Sequence, residues 1–92
     1  MIAITQLDGE HYEVVLDGEG GRTEHRVRLP PALWQTLTDR RVTAEALILE
    51  SFRFLLAREP ATAILREFEL SVIGEYFPEW RDHLAAWLEA GA

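Results

Sequence analysis

The chain contains no cysteine, no lysine and no asparagine. Without thiols there is no disulfide staple, no thiolate nucleophile and no thiolate metal site, and nothing demands an oxidising compartment. All nine basic residues are Arg, which we read, together with the many Ala, as the imprint of a GC-rich coding sequence rather than selection for guanidinium forks. Long apolar runs are missing as well. No segment approaches the roughly 18 apolar residues of a membrane span, and the opening MIAITQLDGE has neither a basic n-region nor an apolar h-region. The expectation is a soluble, cytoplasmic protein with no membrane partner.

What is present describes an ordinary folded domain. Ninety-two residues, 48% hydrophobic and 27% charged, suffice for one modest core and not for two. We therefore expect one domain over 1–92, with a β-meander in 1–29 and a helical part in 30–92. The formal net charge of −7 repels nucleic acid and anionic membrane surfaces at long range. It is unevenly placed: Met1 to Val42 holds seven acids and five Arg, whereas Thr43 to Ala92 holds nine acids and four Arg.

Ile2–Leu7 and His11–Leu16 are short runs of β-formers around Asp8-Gly9-Glu10, which is a hairpin signal. DGEGG, Asp17 to Gly21, reads as a looser turn. Arg22–Leu29 then alternates Thr23, His25, Val27 and Leu29 on one side with Arg22, Glu24, Arg26 and Arg28 on the other, so one face meets a core and the other meets water. Pro30-Pro31 ends the meander and opens a short helix to about Asp39. Thr43 is the expected N-cap of a second helix running to about Arg58, with Glu45 in its first turn, because Pro60 disfavours helical geometry at Glu59. ATAILREFEL reads as irregular or a single turn. Ser71 reads as the cap of a short turn, and Pro78 as the first residue of a last helix. Strands first and helices afterwards give an α+β fold, a three-stranded antiparallel meander followed by three or four helices packed on one face.

The second helix carries more apolar surface than one sheet can cover. In LILESFRFLL, residues Ile48, Leu49, Phe52, Leu55 and Leu56 form one stripe suited to a sheet. Leu47 and Phe54 lie on a separate face flanked by Glu50, Ser51 and Arg58. Two covers are open to that face. One is the chain's own C-terminal stripe of Trp80, Leu84, Trp87 and Leu88; the other is a partner protein, most simply a second copy about a two-fold axis. Leu47, Phe54, Trp80 and Trp87 are thus the candidate interaction surface of a homo-oligomerising or adaptor-like module.

Catalytic and cofactor motifs are not found. His11, His25 and His83 lack metal-ligand spacing, so no metal or cofactor is expected. Ser51 lies within the apolar helix and Ser71 reads as a cap, neither in a nucleophile elbow. GEGG lacks the following helix and the Lys-Ser or Lys-Thr of a phosphate loop. Glu67, Glu69, Glu75 and Glu79 read as a solvated face, and no enzyme is expected.

Two resemblances bear on function. HRVRLPPALWQTLTDRRVTAEALILESFRFLL, with its strand of outward Arg, Leu-Pro, short helix, Thr cap and apolar helix, resembles a ribbon-helix-helix DNA-binding protein. That resemblance implies a two-chain ribbon entering the major groove, with Arg22, Arg26 and Arg28 as nucleic-acid contacts and the Thr43 cap near phosphates. The chain departs from the pattern in its shorter first helix, in Glu24 amid the reading positions, in an upstream hairpin that competes for the ribbon edge, and in its acidity. SFRFLLAREP followed by ILREFELSVIGEYFPEW resembles a family of short bacterial proteins of unknown function, which implies no activity but suggests one packed unit. Protein, possibly self, is therefore the expected partner, ahead of nucleic acid.

Overall fold

In the computed structural model, which describes residues 1–92, two hairpins build an antiparallel meander of β1 Ile2–Gln6, β2 His11–Gly18 and β3 Gly21–Arg28. The first turn is organised by Asp8, whose Oδ1 accepts the backbone N–H groups of Glu10 and His11 at 2.8 Å each and lies 2.9 Å from His11 Nδ1. These bonds to the ionised form, the Glu10 N–H foremost, hold the Asp8 carboxyl below its ordinary 3.8. The second turn is tighter than DGEGG suggests. The ladder continues to Gly18↔Gly21, and Gly21 adopts φ 111°, a conformation glycine reaches without steric cost.

A fourth strand, β4 Glu67–Glu69, pairs parallel with Arg26–Arg28, giving the order β1-β2-β3-β4. This corrects the expectation that ATAILREFEL is irregular or a single turn. Only Ala61–Ala63 forms a turn, of 3-10 type, and the chain then returns to the open side of β3. The Arg26 N–H bonds the Arg66 carbonyl at 2.7 Å, and the Leu70 N–H bonds the Arg28 carbonyl at 3.0 Å.

Four helices complete the α+β fold: α1 Pro31–Thr38, α2 Ala44–Leu56, α3 Val72–Tyr76 and α4 Trp80–Glu89. Thr43 caps α2, its Oγ1 accepting from the Ala46 N–H at 3.1 Å. Ser71 precedes α3, but its hydroxyl donates to the Glu69 carboxylate at 2.7 Å instead of capping. The last helix starts at Trp80 rather than Pro78, because the Trp80 N–H closes a tighter three-residue turn onto the Phe77 carbonyl. No helix is long and apolar enough to cross a membrane.

The buried side of the sheet presents Tyr12, Val14, Leu16, Thr23, His25, Val27 and Phe68, and α2 lies against it. Phe52 is the pivot, its ring 5.7 Å from His25 and 6.1 Å from Phe68. Ile48 and Leu55 are buried with it, Leu49 is half-buried, and Leu56 departs from the expected stripe by facing solvent at the helix end. The C-terminal segment packs on the far side of α2, which makes α2 the middle of three layers.

Candidate functional site

The face of α2 turned from the sheet is sealed by this chain. Leu47 is 0% exposed, Phe54 2% and Trp80 0%, so three of the four residues expected to form an interaction surface offer no area to a partner. Trp87 is half-buried against the same core. The Phe54 ring meets Phe77 edge-on at 5.9 Å and His83 at 5.0 Å. Each polar residue flanking this face also finds its partner in the C-terminal segment. His83 Nε2 lies 2.7 Å from Glu50 Oε2, the Trp80 indole N–H donates to Ser51 Oγ at 3.2 Å, and Arg58 Nε lies 3.5 Å from Glu79 Oε2. The Arg58 guanidinium also covers the Phe54 ring, 3.5 Å from its centroid.

Arg22, Arg26 and Arg28 do point outward together from β3, but the strand has no free edge along Arg26–Arg28, since β2 and β4 occupy both sides. A two-chain ribbon cannot form there without displacing β4. Acids interleave the Arg side chains. Arg26 stands in register between Glu13 and Glu67, Arg28 pairs with Glu69 at 2.8 Å and Glu10 at 3.5 Å, and Arg22 lies 3.7 Å from Glu24. The open sheet face is a charge checkerboard rather than a cationic strip.

The remaining polar groups are engaged structurally. His25 is buried, with Nδ1 2.7 Å from the Leu65 carbonyl and Nε2 2.9 Å from Thr23 Oγ1, so it ties the segment before β4 to the sheet. Ser51 is buried beneath Trp80, and Ser71 is bonded to Glu69. No group of three or more His, Asp or Glu side chains is arranged to hold a metal ion.

Where α2 ends, the surface opens. Pro60 turns the chain, and the segment through Leu65 crosses the end of the domain as a wall between two clefts. The first cleft holds about 250 Å³, and nine of its ten lining residues are hydrophobic. Its floor is Leu55, Ile64, Phe68 and Ile73, all buried, and its rim is Leu65, 46% exposed, and Tyr76, 68% exposed. The neighbouring α3 approaches closely because Gly74 lacks a side chain: a Cβ there would stand 3.3 Å from the Trp80 ring. The second cleft, about 410 Å³, has five hydrophobic residues among its twelve, and its lining includes the β2–β3 turn, Met1, Leu56 and residues 60–62. Five large hydrophobics are exposed in the whole chain, and four of them, Met1, Leu56, Leu65 and Tyr76, line these two clefts.

Sequence reasoning missed this site because its walls come from separated segments. The available signal was Leu65, a large apolar residue outside every helical or strand stripe; Tyr76 reads with Val72 and Ile73 as part of a short turn, and its exposure at the end of α3 was not signalled. Chemically, the first cleft brings one carboxylate, Glu59, and one phenol, Tyr76, to an apolar hollow. It holds no nucleophile paired with a base. The volume exceeds the roughly 150 Å³ that accommodates benzene in an engineered cavity, and falls below the roughly 300 Å³ at which small-molecule pockets begin. One or two large side chains suit it.

Fold and site together define a small α+β domain with an open apolar cleft at one end. No family model, curated protein or solved structure matches the chain.

Proposed function

We propose that this chain is a non-enzymatic protein-interaction module that receives an apolar anchor residue of a partner in the cleft between the end of α2, the 63–65 segment and α3. The observation that carries the reading is that Leu65 and Tyr76, two of the five exposed large hydrophobics, stand together on the rim of one apolar cleft, with Met1 and Leu56 lining the second. Scattered exposed apolar residues are normal, whereas a contiguous group marks contact surface. An anchor in a preformed hollow is the usual centre of an interaction hot spot. The charge checkerboard around Arg22, Arg26 and Arg28 supplies no comparable surface for nucleic acid.

Selection of random peptides displayed on phage tests the proposal, run in parallel against the wild type and Ala63→Trp. Ala63 is exposed and lines the cleft, so the indole fills the hollow without entering the core. Peptides carrying a large apolar residue are expected to enrich on the wild type and to lose binding to the filled variant. Absence of enrichment, or equal binding to both proteins, would overturn the reading.

A further inference from the structure

We infer that the segment docking in the cleft is cationic, an apolar anchor flanked by Arg or Lys, and not a second copy of this chain. The inference rests on the proposed interaction reading and names its partner's chemistry. Glu59 is the only charged side chain lining the cleft, and it is half-buried against apolar neighbours. Every ion pair of the chain is made by other carboxylates, and no side-chain hydrogen bond reaches Glu59.

The nearest cations in sequence leave Glu59 unpaired. Arg58 is turned to the sealed face, bonding the Phe54 carbonyl at 3.0 Å and pairing with Glu79. Arg66 is not a lining residue. Any occupant that covers the cleft strips water from the Glu59 carboxylate, and covering a charge without a partner is costly. A guanidinium or ammonium beside the anchor offsets that cost.

The surroundings act in the same direction. The cleft is built wholly from the half of the chain that holds nine acids and four Arg. Such a field favours approach of a cationic segment. A second copy would bring another net charge of −7 and another unpaired Glu59 into one interface.

Fluorescence anisotropy with two short synthetic peptides tests the inference, one carrying a Trp flanked by Arg and the other the same Trp flanked by Glu. At low salt the Arg peptide is expected to bind and the Glu peptide not to. Glu59→Gln is expected to weaken the Arg peptide by about two- to fivefold, the range of a partly exposed ion pair, and Glu59→Arg to reverse the preference. Equal affinity for the two peptides, or no response to Glu59→Gln, overturns the cationic partner while leaving the interaction reading intact if Ala63→Trp still blocks both. Binding of neither peptide overturns both. Sedimentation equilibrium supplies the remaining arm: a dimer at high micromolar concentration that Ala63→Trp dissociates would make a second copy the occupant.

Discussion

Two apolar surfaces adjoin α2, one on its face turned from the sheet and one past its C-terminus, and they meet opposite fates. Around Leu47 and Phe54, midway along the helix, Glu50, Ser51 and Arg58 each find a partner in His83, Trp80 and Glu79, and the face is closed. Past its C-terminus, Leu55 and Glu59 border a hollow in which the carboxylate has no partner. The difference lies in the polar residues at the margins rather than in hydrophobicity. On the sealed face each margin residue is satisfied within the chain, and at the open end Glu59 is not.

The contrast is broken most severely by Trp80→Ala, which removes the largest fully buried side chain of the sealed face. Urea unfolding is expected to show a loss of about 3–5 kcal/mol; a loss near zero would mean that the C-terminal segment does not seal α2. Ser51→Ala is milder, leaving the buried Trp80 indole N–H without its acceptor, and is expected to cost about 1–3 kcal/mol by the same measurement.

Asp8→Asn belongs to neither face and gives a baseline. Because the folded-state carboxyl sits below its ordinary 3.8, its stabilising effect is present above the unfolded value and lost as pH falls through the lowered folded value. Stability measured against pH should therefore depend less steeply on acid in the variant, with no change in peptide binding. The smallest effect on folding is expected from Leu65→Ser with Tyr76→Ser at the open rim, within about 0.5 kcal/mol for each surface substitution. The same pair should abolish peptide capture. A large loss of stability would show that the rim is core after all.

Much of the fold was legible because alternation and caps are local. The odd-numbered residues Thr23 to Leu29 declared a half-buried strand, and Thr43 marked the start of α2. β4 was not legible, since the three residues Glu67–Glu69 are too few to show a period and their strand conformation is imposed by the open side of β3. Leu56 misled for a related reason: its helical phase suits the core, but it stands at the last residue of α2, beyond the cover of the sheet. The seal over Leu47 and Phe54 was one of two alternatives that periodicity alone could not separate. The cleft was least legible, as Leu55, Leu65, Phe68 and Tyr76 converge only after the chain has doubled back.

That return path also shapes the order of folding. Arg28 and Glu69 are 41 positions apart, so the parallel pair must close a long loop before its contacts repay the entropy, whereas both hairpins close locally. The wall between the clefts is then expected to form after the hairpins, held to the meander by a three-residue ladder, the bond from His25 to Leu65 and the buried Ile64, Phe68 and Leu70. Amide exchange at Leu70 should outpace that at Val14 in the free protein. An anchor seated against this wall would slow it, so that occupancy is written into the opening rate of the very segment that forms the site.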